Sequence, residues 1–318
     1  MDVVREKRGP DLFHARHSFP PLCQIRERAM GGGKGKLASS PVIAAISLIG
    51  VVYYITVFVF VDDLLGLSTS PGRLNACIFS WLAFMCLFSF FVAVLTDPGS
   101  VPPSFAPETE DPLKFGEPLK YCDKCSTYKP PRAHHCRVCR RCVLKMVGMI
   151  HLMLINNDHH CAWISNCVGY ANYKAFILCV FHAAMASIYS MVVFFINTLE
   201  EHHNFEGVYN KIFYVLFGSL VSLLSLALST LLGWHIYLLT HNITTIEYRI
   251  AVRAMWLAKK SGQKHHHRFD LGVYKNLSMI LGPNVLKWLW PTATGHLRDG
   301  TQFAISKADD RPPVSPNS

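Results

Sequence analysis

Four long apolar runs constrain the fold of this chain more than any other feature of its sequence. They cover residues 41–61, 74–95, 174–196 and 212–239, and each can cross the hydrocarbon core of a bilayer, which takes about 20 helical residues. Buried helices of a soluble protein are the alternative, but the first two runs lack the polar face of an amphipathic surface helix. We therefore predict an all-α membrane protein with four transmembrane helices.

The basic residues predict how these helices are oriented. The chain carries a net charge of +10 although 51% of its residues are hydrophobic. Lys and Arg are concentrated before the first run and after the fourth, whereas residues 62–73 contain one Arg and residues 197–210 contain neither Lys nor Arg. Since positive loops stay on the cytosolic side, we expect both termini and the central segment in the cytosol. The predicted parts are a tail (1–40), helices 1 and 2 (41–96), a cysteine-rich domain (97–173), helices 3 and 4 (174–240) and a C-terminal region (241–318).

The central segment holds seven of the eleven cysteines. A cytosolic location disfavours disulfides, so clustered thiols are expected to bind metal or to react. Two C-x-x-C pairs, Cys122/Cys125 and Cys136/Cys139, have the spacing of zinc knuckles. A single four-cysteine zinc site is one interpretation, but two tetrahedral sites account better for the further ligand types. Those are Cys142, Cys161, Cys167 and the histidine pairs at 134–135 and 159–160.

The stretch "DHHC" (158–161) places a carboxylate, two imidazoles and a thiol in succession. A cysteine beside a histidine, with an acid to orient the ring, has the parts of an activated nucleophile. The tetrapeptide alone is weakly diagnostic, but inside a metal-binding loop it is specific. This pattern favours covalent catalysis through a thiol.

Together these motifs resemble the DHHC family of protein S-acyltransferases, the palmitoyltransferases. The resemblance includes "DPG" (97–99) after the second run, "TTIE" (244–247) after the fourth, and "FDLGVYKN" ending at Asn276. It implies that Cys161 forms an acyl-enzyme, His159 is the general base and Asp158 orients it. It also implies that Thr245 helps to hold Asp158 and that Asn276 anchors the C-terminal segment to the spans. The implied zinc ligands interleave, with Cys122, Cys125, His135 and Cys142 in one structural site and Cys136, Cys139, His160 and Cys167 in the other.

The implied substrates are palmitoyl-CoA or a similar acyl-CoA and membrane-associated proteins with cytosolic cysteines. The resemblance implies no nucleic-acid partner. Lys129, Arg132 and Arg249 are candidate contacts for the CoA phosphates, although solvated charges that obey the positive-inside rule explain them equally well. The family resemblance also suggests the Golgi, another endomembrane or the plasma membrane.

Residues Val147 to Asn157 depart from the family pattern, because "VLKM" would otherwise run directly into "DHHC". This apolar insert is too short to be a fifth span. It is interpreted as a membrane-dipping hairpin, as a disruptive segment, or as an adaptation for a partner. We favour disruption, since the flanks would join into the family pattern without it. A catalytically weak membrane scaffold with a zinc-binding loop is therefore the alternative to an active enzyme.

Overall fold

The structure is a computed structural model that describes residues 34–102, 104–105, 119–148, 160–199, 208–260 and 267–306. Eight α-helices occur in these ranges: α1 Lys34–Leu37, α2 Ser40–Ile55, α3 Asp62–Leu65, α4 Ser70–Leu95, α5 Tyr173–Leu199, α6 Val208–Thr240, α7 Thr245–Lys260 and α8 Val273–Leu281. A π-helical turn, Thr56–Val61, joins α2 to α3, and a 3₁₀ turn covers Val285–Lys287.

Four helical stretches are long and apolar enough to cross a membrane, which confirms the predicted architecture. They are Ser40–Leu65, Ser70–Leu95, Tyr173–Leu199 and Ile212–Thr240, and we call them spans 1 to 4. Span 3 is central, packing against span 2 along one side and span 4 along the other. The chain is therefore a multi-pass membrane protein, with helix ends a few residues beyond the apolar runs.

The π-helical turn in span 1 is stabilised by polar side chains of span 3. A π turn changes the register of the backbone hydrogen bonds and exposes carbonyl groups that need other partners. Asn197 Nδ2 donates to the carbonyl of Phe60 at 2.7 Å, and Thr56 Oγ1 lies 2.7 Å from Ser190 Oγ. These buried contacts fix span 1 against span 3, at the opposite end of the bundle from the cysteine-rich region.

In the parts of the cysteine-rich region that the structure describes, the chain forms three small antiparallel hairpins. Their strands are β1 Tyr121–Cys122 with β2 Thr127–Tyr128, β3 His134–Cys136 with β4 Arg141–Val143, and β5 His160–Cys161 with β6 Asn166–Cys167. Each hairpin is too short to be stable alone. The region therefore depends on contacts between the hairpins and with the spans.

The "DPG" motif attaches this region to the end of span 2. Asp97 forms an ion pair with Arg141 of β4 at 2.7 Å. Gly169 lies so close to Pro98 that a β-carbon there would stand 2.5 Å from the Pro98 carbonyl oxygen. Asn166 Nδ2 donates to the carbonyl of Thr96 at 2.9 Å. The third hairpin is thus placed directly against the end of the helical bundle.

Candidate metal centres and active site

All three hairpins have the same kind of turn, in which the residue just before the second strand has a left-handed backbone conformation. Ser126, Arg140 and Ser165 have φ values of 51°, 55° and 45°. In the second hairpin the backbone N–H of Cys139 donates to Cys136 Sγ at 3.2 Å. This is how a knuckle directs backbone N–H groups at a thiolate. The first two turns present both cysteines of their C-x-x-C pairs to a common cluster.

The first cluster joins hairpin one to hairpin two. His135 Nδ1 lies 3.2 Å from Cys125 Sγ, 3.6 Å from Cys122 Sγ and 4.0 Å from Cys142 Sγ. All four ligand atoms lie within 4.8 Å of one another. Because His135 and Cys142 pair directly across β3 and β4, the second hairpin supplies both ligands from one register position.

The second cluster joins hairpin two to hairpin three. His160 Nδ1 lies 3.3 Å from Cys139 Sγ and 3.8 Å from Cys167 Sγ, and the two sulfurs are 3.4 Å apart. Cys136 completes the group, whose ligand atoms also lie within 4.8 Å. Both clusters offer three thiols and one imidazole at the separations of a tetrahedral ion, so both could hold a metal such as zinc.

Cys161 occupies the knuckle position of the third hairpin but belongs to neither cluster. It is paired with Asn166 in the hairpin register and its side chain is buried. Burial raises the pKa of the Cys161 thiol to about 11, against a smaller lowering by the backbone N–H groups of Ile164 and Trp163. At neutral pH such a thiol needs a base before it can act as a nucleophile.

An apolar cavity of about 340 Å³ opens next to Cys161 inside the helical bundle. All four spans contribute to it. Its lining includes Ala45, Phe79, Cys86, Cys161, Phe176 and Leu224. The cavity therefore connects a buried thiol with a slot suited to a hydrocarbon chain.

A buried polar cluster joins the segment just before β3 to α7. The Arg132 guanidinium forms a bidentate ion pair with the Glu247 carboxylate, and both N···O distances are 2.7 Å. It also donates to the side-chain oxygen and the backbone carbonyl of Asn242. Phe269 and Phe303 cover the guanidinium at 4.5 and 5.1 Å. Burial alone would raise the pKa of the Glu247 carboxyl. The Arg132 charge and further hydrogen bonds instead hold this pKa well below its usual range.

Lys145 reaches the same cluster from the loop after β4. Its Nζ donates to Asn242 Oδ1 at 2.9 Å. Burial, followed by the nearby Arg132 charge, lowers the pKa of Lys145. Asn242 therefore links two basic side chains of the cysteine-rich region to the end of span 4.

Known proteins with similar sequences show which family has this arrangement of clusters, thiol and spans. The sequence pattern of the DHHC palmitoyltransferase family matches residues 116–251. Probable protein S-acyltransferase 15 of Arabidopsis thaliana is 53% identical over 262 residues, which are 81% of this chain and 99% of that protein. Probable protein S-acyltransferase 16 of the same plant is 47% identical over 280 residues, 85% and 94% of the two chains. Palmitoyltransferase ZDHHC15A of Danio rerio is 31% identical over 306 residues, 86% and 87% of the two chains.

This chain belongs to the DHHC palmitoyltransferase family. The resemblance drawn from the motifs is thereby confirmed, and so is the expectation of two cysteine and histidine clusters. The clusters contain the same eight residues that the resemblance implied. Within this DHHC protein, Cys161 is left outside both clusters.

Two of the expected catalytic residues, Asp158 and His159, lie outside the described residues. The insert is described only at Val147 and Gly148. Val147 is buried, and its N–H donates to the carbonyl of Val168 at 2.9 Å. Thr245, which we expected to hold Asp158, donates its hydroxyl to the carbonyl of Gly148 at 2.5 Å. The start of the insert is therefore attached to "TTIE".

The other expected residues of this DHHC protein fall at the surface or in the C-terminal region. Lys129 is partly buried and Arg249 is exposed, whereas the Arg132 guanidinium is enclosed by protein acceptors. Asn276 is buried, and its Nδ2 donates at 2.7 Å to the carbonyl of Thr240, the last residue of span 4. It also binds Asp270 and receives the N–H of Leu271.

Sequence reasoning missed Asn242, Lys145 and Lys174 as organising residues. Lys174 is the first residue of the third apolar run in the sequence, yet its side chain is buried and donates to three backbone carbonyls. One signal was available, because a lysine on the first turn of an apolar helix has to find acceptors or reach water. The acceptors themselves are more than 100 residues away and carry no sequence signature.

Proposed function

We propose that this chain is a protein S-acyltransferase that moves a long-chain fatty acyl group from acyl-CoA to cysteine thiols of membrane-associated proteins. The observation that carries the proposal is Cys161, the one cysteine of residues 119–148 and 160–173 outside both clusters, whose side chain lines the apolar cavity. Membership of the DHHC family supports the same chemistry.

In the first step the Cys161 thiolate attacks the carbonyl carbon of the acyl-CoA thioester. The new C–S bond forms as the bond to the CoA sulfur breaks, and the proton lost by Cys161 is returned to the leaving CoA thiolate. In the second step a thiolate of the substrate protein attacks the acyl-enzyme and Cys161 leaves. The raised pKa of the Cys161 thiol supports a role for a general base. We assign the role of this base to His159, with Asp158 orienting its ring.

The cavity supports a long acyl chain as the transferred group. Along span 3 its lining extends from Phe176 to Ser187, eleven residues or about 16 Å at 1.5 Å per residue. An extended alkyl chain advances about 1.3 Å per carbon, given C–C bonds of about 1.52 Å. The cavity therefore matches roughly a dozen carbons, and each buried CH₂ contributes about 0.8 kcal/mol.

Zinc is the metal that we propose for both clusters, because three thiolates and one imidazole form a closed structural zinc site. Bound zinc would supply stability rather than reactivity here, since all four positions of each site are filled by the protein. Cys136, Cys139, His160 and Cys167 would then fix the hairpin that carries Cys161. We propose Lys129 and Arg249 as contacts for the CoA phosphates; Arg132 already has protein acceptors for its N–H groups.

Detection of an acyl-enzyme on Cys161 is the decisive experiment. Purified protein incubated with palmitoyl-CoA should form an adduct that neutral hydroxylamine cleaves, and Cys161→Ala should abolish it. Cys77→Ala is the matched control, because Cys77 is exposed on the outer face of span 2. Absence of the adduct, or its survival in Cys161→Ala, would contradict the proposal.

The insert motivates the alternative of a catalytically weak scaffold. The described residues that flank 149–159 are both held by the fold, since the Gly148 carbonyl accepts from Thr245 and His160 belongs to the second cluster. These attachments support an active enzyme. Acylation of the full chain should be compared with that of a version lacking Val147 to Asn157. An inactive full chain and an active deletion would establish the insert as disruptive.

We further propose that both termini lie in the cytosol and that the membrane is that of the Golgi, another endomembrane or the plasma membrane. The distribution of Lys and Arg supports this orientation. Protease protection of terminal tags in sealed vesicles tests it, since tags at both ends should be digested without detergent.

A further inference from the structure

The segment Pro283–Trp290, which we call the wedge, carries an apolar surface that none of the described residues covers. Leu286 is 93% exposed, and Val285, Leu289 and Trp290 are 54%, 56% and 47% exposed. Four large apolar side chains within six residues are rarely left together in water. The wedge therefore needs an apolar partner.

The wedge is also rigidly constructed. The buried Lys174 Nζ donates to the carbonyls of Leu281, Lys287 and Ala293 at 2.7, 2.9 and 3.0 Å. These carbonyls lie before, within and after the wedge. The indole of Trp288 donates back to the Gly282 carbonyl at 2.8 Å. The exposed side chains are therefore held outward by a network of hydrogen bonds.

A column of aromatic rings indicates where the wedge lies. The Trp290 ring is 5.6 Å from Phe88 of span 2. Phe88 is followed by Phe84 at 6.2 Å and then by Trp81 at 6.0 Å. Trp81 and Phe84 are exposed on the outside of a transmembrane helix, where the surroundings are lipid. Trp290 therefore extends a surface that faces the bilayer.

The depth of Trp290 follows from helix geometry. Span 2 has 26 residues, so at 1.5 Å each it is about 39 Å long against a hydrocarbon core of about 30 Å. Each end then extends about 4–5 Å beyond the core. Phe88 lies about 10 Å from the Leu95 end. Phe88 is therefore about 6 Å inside the hydrocarbon boundary, and the Trp290 ring that contacts it lies near that boundary.

We infer that the wedge inserts into the lipid leaflet on the side of the cysteine-rich region. The ligand is phospholipid, with acyl chains against Val285, Leu286 and Leu289 and the amphipathic indole of Trp290 at the boundary. Lys287 is exposed within the wedge and reaches the phosphate level. The C-terminal region is thus attached to the membrane directly, in addition to its attachment through span 4.

Depth-dependent quenching in nanodiscs tests this inference on the full chain. An environment-sensitive fluorescent amino acid is introduced at position 286 by amber suppression, and separately at position 298 as a control. Arg298 is exposed but lies beyond the wedge. Phosphatidylcholine carrying a doxyl group near the headgroup should quench the label at 286 at least about twofold more strongly than the label at 298.

Equal quenching at the two positions would overturn the inference and leave a protein partner as the occupant of the surface. Position 289 provides a second label, which should behave like 286. Zinc content and elution volume equal to those of the unlabelled chain show that each labelled protein is folded. The assay measures no acyl transfer, so its outcome is independent of the proposed enzymatic activity.

Discussion

Arg132 connects parts of the chain that are more than 100 residues apart. Its guanidinium is 1% exposed and binds Glu247, which is 16% exposed. It also adopts a left-handed φ of 68°, which costs energy for a residue with a side chain. Such a conformation persists only where the surroundings compensate, as the four hydrogen bonds of Arg132 do here.

Arg132→Ala should therefore destabilise the protein strongly. Removing one partner of a buried ion pair leaves the other charge unpaired, at a cost of about 3–5 kcal/mol. We expect the apparent Tm of the purified protein to fall by at least about 5 °C. Thermal unfolding followed by loss of the monodisperse elution peak measures it.

Arg249→Ala is the matched control, since Arg249 is an exposed arginine on α7. Its Tm should stay within about 1 °C of the unmodified protein. If Arg132→Ala were equally mild, the buried ion pair would contribute nothing, and Arg132 would again become a candidate contact for CoA.

Sequence alone could identify Arg132 as a basic residue near the membrane but not its partner. The composition of "KPPRAHHC" fits a phosphate contact as well as a buried pair. Glu247 is 115 positions further along, and only the fold brings it near. Lys145 and Asn242 were missed for the same reason, because a buried polar network is defined by contacts between distant segments.

At the scale of elements, the second hairpin belongs to both metal clusters. His135 and Cys142 face the first cluster, while Cys136 and Cys139 face the second. Hairpins of two or three residues per strand do not hold together without added cross-links. The proposed zinc ions therefore supply the stability that this region cannot obtain from an apolar core.

Single ligand replacements should reduce the metal content stepwise. Cys122→Ser removes a ligand of the first cluster, and we expect zinc per chain to fall from about two to about one. Cys161→Ser should retain about two, because Cys161 lies outside both clusters. Elemental analysis of the purified proteins measures the content.

Equal zinc loss in Cys122→Ser and Cys161→Ser would show that Cys161 is a ligand and would remove the proposed nucleophile. The C-x-x-C spacing was sufficient to predict metal binding, but the residues alone left one site or two open. The interleaving came from the family resemblance, and the hairpin register explains why it is possible.

The three hydrogen bonds of Lys174 are expected to hold the wedge in place. Lys174→Met keeps the length of the side chain but removes the donor from three backbone carbonyls that are partly shielded from water, which costs free energy for each of them. We expect amide hydrogen exchange of residues 282–294 to rise about tenfold or more. Mass spectrometry of the intact and variant proteins in nanodiscs measures the exchange.

Lys174→Arg is the conservative comparison, since it retains a donor and a positive charge. It should restore part of the protection. Unchanged exchange in Lys174→Met would show that the wedge is held by other contacts, such as the ring contact between Trp290 and Phe88.

At the scale of the whole molecule, the four spans enclose the cavity that ends at Cys161. The spans themselves were predictable, because apolar runs of more than 20 residues have few other solutions. The cavity was not, since it depends on which small and large side chains meet between helices. Ala183 and Ala186 of span 3, for example, line it opposite Leu224 and Leu228 of span 4.

Ala186→Phe should shorten the acyl chain that the protein accepts. Ala186 lies at the end of the lining farther from the cysteine-rich region, and a phenyl ring there fills space needed by the terminal carbons. We expect the variant to prefer acyl-CoA shorter by about four carbons, at about 1.3 Å per carbon. Competition between acyl-CoA species for labelling of Cys161 measures the preference.

Leu226→Phe is the control, because Leu226 is 68% exposed on the outer face of span 4. It should leave chain-length preference unchanged. If Ala186→Phe also leaves it unchanged, the acyl chain does not enter this cavity.

The order of the cluster residues along the chain has a consequence for biosynthesis. The first cluster is complete once Cys142 has been made, whereas the second waits for Cys167. Since a chain emerges from its amino terminus, the ligands of the first proposed zinc site leave the ribosome before Cys161, the proposed nucleophile. An ion bound there would fix the second hairpin, which also carries Cys136 and Cys139. If zinc fills both clusters as proposed, the order of the ligands sets the order of metal binding, and the hairpin that carries Cys161 is fixed last.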